Sequence, residues 1–127
     1  MSHNVVVDLV RSLIDHMRGA PAEWDAFAIV IDFDGERVAG THGYTYSADG
    51  STDPVASNPR QVKPYALAFL ASRYAPGATP PVGLLVQFDR TNGQYEVTFE
   101  DTDRARWKVT PANIDTMADT IRPNFTD

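Results

Sequence analysis

Two short turns, each between segments of alternating apolar and polar residues, constrain the fold more than any other feature. Asp34-Gly35 and Asn92-Gly93 are dipeptides that accept the positive φ angles of a two-residue hairpin turn. The alternating apolar positions are Phe27, Ile29, Ile31 and Phe33 before the first turn, Leu84, Val86 and Phe88 before the second, and Tyr95, Val97 and Phe99 after it. The pattern predicts two antiparallel hairpins, each with one buried face.

Three segments have the spacing of amphipathic helices. The first has apolar residues at Val6, Leu9, Val10, Leu13 and Met17. The second is predicted to begin at Lys63-Pro64, because proline is tolerated in the first helical turn, and to end before residues 75–77. The third follows Thr110-Pro111, with inward-facing residues at Ile114, Met117 and Ile121. Together they predict helices at both ends of the chain and one between the hairpins.

The remaining segments complete the predicted order of elements. Residues 47–61 are rich in Ser, Asp, Gly, Asn and Pro without a period, which predicts a long loop, and residues 106–109 predict a short last strand that carries Trp107. The order is α-β-β-α-β-β-(β)-α. We therefore expect one α+β domain over residues 1–127, with an antiparallel four- to five-stranded sheet packed on helices.

Counting outward from the two turns predicts which residues face each other on the side of the sheet away from the helices. Asp32 is expected opposite Arg37, Asp89 opposite Glu96, and Leu85 opposite Glu100. That outer face is predicted to be flat, mostly small, acidic and exposed.

The charge of the chain is concentrated in one segment. The formal net charge is −6, and residues 19–57 hold seven acidic residues against a single basic one, so that segment carries all of it. An acidic chain argues against nucleic-acid binding, because phosphate contacts need clustered Lys and Arg. The chain also has no cysteine, no apolar run as long as a membrane span and no basic-then-apolar leader. We expect a cytoplasmic protein with neither a nucleic-acid nor a membrane partner.

No motif in the chain predicts a catalytic or metal site. Asp32-x-Asp34 after an apolar strand looks like the first motif of haloacid-dehalogenase-type phosphatases, but Glu36 stands where that family has Thr, and a hairpin replaces the helix that should follow. His3, His16 and His42 lack metal-ligand spacing, and His42 is expected at the end of the helix-facing side. We predict no catalytic residue, no metal and no cofactor.

Several short motifs resemble those of the YezG-like immunity proteins. They are Pro21-x-x-Trp24 before the first strand, Gly93-x-Tyr95-x-Val97-x-Phe99 in the second hairpin, Trp107-Lys108-Val109-Thr110-Pro111, and Ile121-Arg122-Pro123-x-Phe125. The resemblance extends from Leu9 to Phe125. It implies a small α+β bacterial antitoxin that protects the cell by binding a cognate polymorphic or contact-dependent toxin, and an acidic inhibitor suits a toxin whose active-site surface is basic.

The resemblance, taken with the charge, indicates which residues contact the toxin. They are the carboxylates of the outer sheet face and the acidic loop: Asp32, Asp34, Glu36, Asp49, Asp53, Asp89, Glu96 and Glu100. One alternative is a small-ligand-binding accessory domain with a pocket between the sheet and residues 47–61. Another is a minor phosphatase-like activity of Asp32 and Asp34.

Overall fold

One six-stranded antiparallel sheet organises the chain. The computed structural model describes residues 4–124. Its elements are α1 (Val5–Asp15), β1 (Met17–Arg18), β2 (Trp24–Asp34), β3 (Arg37–Ser47), β4 (Thr52–Ser57), α2 (Pro59–Arg73), β5 (Gly83–Asp89), β6 (Tyr95–Glu100) and α3 (Met117–Thr120). The strands lie side by side in the order β1-β4-β3-β2-β5-β6. The α+β class and the antiparallel sheet are confirmed, with six strands where the sequence predicted four or five.

Helices α1 and α2 cover one face of the sheet, and each begins at an asparagine cap. The Asn4 side chain accepts hydrogen bonds from the backbone N–H groups of Val6 and Val7, and Asn58 accepts one from Arg60. Pro59 occupies the first turn of α2, where a missing N–H costs nothing, so this helix starts earlier than the predicted Lys63-Pro64. The largest fully buried side chains between the two helices and the sheet include Leu9, Leu13, Phe27, Ile29, Ile31, Phe33, Phe69, Leu84 and Val86.

The prediction of a long loop at residues 47–61 is wrong, because these residues contain strand β4 and the start of α2. Asp49 and Gly50 form a turn in which Gly50 has a φ of 88°, and the chain returns along β3 as a third hairpin. The strand was not predicted because Pro54 lies within it, and proline cannot donate a hydrogen bond to a neighbouring strand. It is accommodated because β1 pairs only with residues 56 and 57, which leaves the Pro54 stretch of β4 at the sheet edge.

The first hairpin differs in register from the prediction. Asp34 pairs with Arg37, so residues 35 and 36 form the turn, and a bulge lies between Asp32 and Phe33. Asp32 therefore pairs with Gly40 and not with Arg37.

The second hairpin is displaced by two residues. The loop between β5 and β6 is longer than Asn92-Gly93, so Glu96 lies opposite Gln87 rather than Asp89, and Glu100 lies opposite Gly83 rather than Leu85. A displacement of two preserves which face each side chain occupies, and the predicted apolar face is therefore retained.

The central part of the outer face of the sheet is buried, which contradicts the predicted exposed surface. Residues 101–124 cross it and form a second apolar cluster with the small side chains of β2. Its buried members are Ala26, Ala28, Val30, Tyr46, Leu85, Trp107, Met117 and Ile121. The Gln87 side chain donates to the Ile121 carbonyl at 2.8 Å, and the Tyr46 hydroxyl donates to the Ala118 carbonyl, so polar bonds also hold this covering segment.

The covering segment itself is mostly irregular. Residues 106–109 form no strand, the helix expected after Thr110-Pro111 is limited to Met117–Thr120, and Ile114 is 57% exposed and does not face inward. Side-chain packing, and not strand pairing, attaches Trp107 to the sheet. Its ring packs over Gly83, where a Cβ would lie 3.4 Å from the ring. Within residues 4–124, no helix is long and apolar enough to cross a membrane.

Candidate functional site

The eight predicted acidic residues lie at opposite ends of the sheet. Asp32, Asp34, Glu36 and Glu100 lie where β2 ends and β5 begins, whereas Asp49, Asp53, Asp89 and Glu96 lie toward the other end. Asp32 is six residues along β2 from Ala26, which pairs with Asp89, and at about 3.3 Å per residue this separates the two rows by about 20 Å. The structure therefore divides the predicted site into two groups.

At the first end, Asp32 belongs to a bridge that holds the covering segment on the sheet. The Nδ1 atom of His42 lies 3.4 Å from a carboxylate oxygen of Asp32, and its Nε2 atom lies 2.9 Å from the Trp107 carbonyl oxygen. Both partners are acceptors, so only the protonated imidazolium can donate to both. The hydrogen bond that His42 donates to the Asp32 carboxylate raises the pKa of His42, against an opposing contribution from burial.

Glu100 is also occupied within the molecule. Its carboxylate accepts hydrogen bonds from the backbone N–H groups of Thr102 at 3.2 Å and Asp103 at 3.1 Å, and from the Arg106 guanidinium at 3.1 Å. The two backbone bonds, followed by that of Arg106, hold the pKa of Glu100 below its usual range. Asp32 and Glu100 therefore fix the covering segment, which accounts for both without a partner protein.

The other end of the sheet carries Asp49, Asp53, Asp89 and Glu96, which we call the acidic end. The Asp49 carboxylate accepts hydrogen bonds from the Ser51 hydroxyl and backbone N–H, and these bonds lower its pKa. Asp89 likewise accepts bonds from Thr91. Such turns orient a carboxylate while it remains accessible to solvent.

Within the described part of the chain, the carboxylates of the acidic end have no cationic partner. Among residues 4–124, the salt bridges are His42 to Asp32, Arg106 to Glu100 and Arg122 to Asp119, and none includes a member of the acidic end. The neighbouring Arg90 is engaged elsewhere, because its guanidinium lies 3.9 Å from the ring centroid of Trp24 and donates to the Trp24 carbonyl oxygen. The group extends along one end of the sheet from β4 to β6, four strand spacings or about 19 Å, with Asp53 on the helix-facing side and Glu96 on the outer side.

The surroundings of Asp32 and Asp34 differ from those of a phosphatase site. A hairpin follows β2, and Asp32 lies against His42 on the outer face. Within the part of the chain that the structure describes, no three His, Asp or Glu side chains form a group able to hold a metal ion. The cavity beside Asp32, of about 410 Å³, contains two cationic side chains, Arg104 and Lys108.

The sequence did not indicate the roles of His42, Arg104 and Trp107 in holding the covering segment on the sheet. Arg104 donates to the Phe33 carbonyl oxygen at 2.7 Å across 71 positions of sequence. His42 was expected on the helix-facing side, and the bulge near Asp32 puts it on the opposite one. A partner so distant along the chain leaves no periodic pattern to detect.

The chain has no match among protein-family models, curated proteins or solved structures. The resemblance to YezG-like immunity proteins therefore stays a prediction based on the motif residues. Of these, Trp24 and Trp107 are buried, Tyr95 is 41% exposed, and Phe125 lies outside the described residues.

Proposed function

We propose that this protein is an immunity protein of the YezG-like kind, which binds a cognate bacterial toxin and occludes the toxin's basic active-site surface. The observation that supports this most is the acidic end, whose four carboxylates make no salt bridge among the described residues. A surface with unneutralised charge attracts an oppositely charged partner and accelerates association, to about 10⁸–10⁹ M⁻¹s⁻¹ in favourable cases.

The geometry of the acidic end suits a protein partner better than a small ligand. Its span of about 19 Å fits within a protein interface that buries about 800 Å² on each side, which is about 30 Å across. Asp49 and Asp89 are already ordered by their own turns, so less conformational entropy is lost when a partner binds. An occluding inhibitor also needs no chemistry of its own. We propose that the complex forms in the cytoplasm.

The proposal predicts a toxin-like open reading frame next to the gene of this chain, and the test uses the product of that frame. Co-expression with the wild-type chain should restore growth, and the purified proteins should form a complex. The double variant Asp49→Lys/Asp89→Lys should weaken binding by about 10- to 100-fold, since each reversal replaces an attraction with a repulsion.

A matched control changes the same charge at the opposite end of the sheet. Asp34→Lys/Glu36→Lys alters two exposed carboxylates near the tip of the first hairpin and should change the dissociation constant by less than about threefold. A larger effect for this control than for the first variant would show that the docking surface lies at the hairpin tip. Failure of the wild-type chain to bind or protect would contradict the function itself.

A second candidate function is binding of a small anionic ligand. A shallow cavity of about 610 Å³ lies between β3 and the start of α2, and its lining includes Arg37, Arg60 and Lys63 but no acidic side chain. A ligand at one hundred times its dissociation constant would stabilise the fold by about 2.7 kcal/mol. A thermal-shift screen with phosphorylated metabolites, repeated on Arg60→Ala/Lys63→Ala, distinguishes the candidates, because the immunity function predicts no shift without the protein partner.

A further inference from the structure

Strand β6 is an open edge of the sheet, and its protection against pairing is limited to the charges of Glu96 and Glu100. Within residues 4–124 it pairs with β5 alone, over six consecutive residues and without a bulge. It contains no Pro and no Lys, the residues that commonly block edge pairing. The opposite edge is protected, because β1 has only two residues and the exposed stretch of β4 contains Pro54.

The hydrogen-bond pattern shows which backbone groups this edge presents. Asp89 N–H donates to the Gln94 carbonyl, whereas Arg90 N–H donates to the Asp25 carbonyl on the other side of β5. Hydrogen-bonded pairs alternate along an antiparallel ladder, so Glu96, Thr98 and Glu100 direct their N–H and C=O groups toward β5. The N–H and C=O groups of the intervening residues, Tyr95, Val97 and Phe99, therefore point away from the sheet.

The side chains of β6 define the chemistry of a strand that would fit beside it. Val97 and Phe99 are partly buried against the helix-facing core. Glu96 is exposed on the other face and makes no salt bridge, whereas Glu100 is neutralised by Arg106. A complementary strand would have a cationic side chain beside Glu96 and apolar side chains on the opposite face. Glu96 also belongs to the acidic end, so the edge is continuous with the proposed docking surface.

We infer that β6 binds the toxin by strand addition: a basic, amphipathic β-strand of the toxin pairs with the outward N–H and C=O groups of Tyr95, Val97 and Phe99. This inference rests on the proposed function. Strand addition supplies affinity through main-chain hydrogen bonds and specificity through alternate side chains. A second copy of this chain is the less suitable occupant, because each copy has a formal charge of −6.

Residue-resolved amide hydrogen exchange of the complex with the neighbouring toxin tests the inference. In the free protein, the amides of Tyr95, Val97 and Phe99 should exchange fast, while those of Glu96 and Thr98 are already protected by β5. Binding should slow exchange at the three outward positions by at least about tenfold, because each amide then becomes hydrogen-bonded. Unchanged exchange at these positions in a complex that forms would overturn the strand addition and leave the proposed function standing.

A proline substitution provides an independent test on the same strand. Val97→Pro removes the outward N–H without removing a bond to β5, and Val97→Ala is the control for loss of the side chain. Circular dichroism and thermal unfolding establish that both variants fold. Val97→Pro should weaken toxin binding at least about tenfold more than Val97→Ala, the equivalent of about 1.4 kcal/mol. Equal affinities would overturn the inference, as would protection of the same amides by self-association without toxin. Absence of a wild-type complex would contradict both proposals.

Discussion

Removal of the Trp107 side chain should destabilise the whole domain, although the residue belongs to an irregular segment. The side chain is 6% exposed, packs over Gly83 within the outer cluster, and has the Arg106 guanidinium 4.7 Å from its ring centroid. A tryptophan buries about 200 Å², which at about 25 cal/mol per Å² is worth about 5 kcal/mol. Truncations of buried Trp typically cost about 3–5 kcal/mol. We expect Trp107→Ala to lower the free energy of unfolding by that amount.

Urea denaturation, followed by far-ultraviolet circular dichroism, measures this loss, and Ile114→Ala provides the matched control. Ile114 lies on the same covering segment but is 57% exposed, so its truncation should cost less than about 0.5 kcal/mol. A loss below about 1 kcal/mol for Trp107→Ala, or equal losses for the two variants, would refute the conclusion that this segment is part of the core.

Three further predictions concern the sheet and its bridge. Gly43→Ala should prevent folding or cost at least about 3 kcal/mol in thermal unfolding, because its Cβ would lie 1.9 Å from the Ala28 carbonyl oxygen, whereas Gly40→Ala has open space and should be tolerated. The pKa of His42 in the folded state lies above its ordinary 6.5, so its contribution to stability is fully present below pH 6.5 and is lost as the pH rises through the folded-state pKa. The difference in unfolding free energy between wild type and His42→Gln should therefore shrink as the pH rises. A difference independent of pH would contradict the bridge. Thr45→Val should be neutral or stabilising by about 1 kcal/mol in urea unfolding, because Thr45 Oγ1 is buried with no hydrogen-bond partner among the described residues; marked destabilisation would indicate a bonded hydroxyl.

Local periodicity was sufficient to predict the helix-facing half of the molecule. The alternating residues of β2, such as Ile29 and Ile31, and the apolar stripe of α1 form its core. These features depend on spacing within one element, which a sequence shows directly.

The other half depends on contacts that no local pattern contains. The cover over the outer face requires the fit of Trp107 against Gly83, residues that are far apart along the chain. The bulge at Asp32 changes the residues of β3 with which β2 pairs, and Pro54 kept β4 from being predicted as a strand. In each case one irregular residue was decisive, and a pattern of alternation cannot locate it.

The acidic segment at residues 19–57 shows why the predicted site could not be located from sequence. Its charges are close along the chain, but β3 has 11 residues, from Arg37 to Ser47, and is about 35 Å long. The strand therefore carries Glu36 and Asp49 to opposite ends of the sheet. The sequence shows only the overall charge, and the topology determines which carboxylates lie together.

The dependence of the association rate on ionic strength tests the central claim most directly. The claim is that unneutralised carboxylates at the acidic end attract a basic toxin. Stopped-flow measurement with the neighbouring toxin, from about 50 mM to about 500 mM salt, should show the association rate constant falling by at least about tenfold, because salt screens exposed charges. Asp49→Lys/Asp89→Lys should reduce both the rate and its salt dependence. An association rate that is insensitive to salt in the wild-type protein would contradict the account.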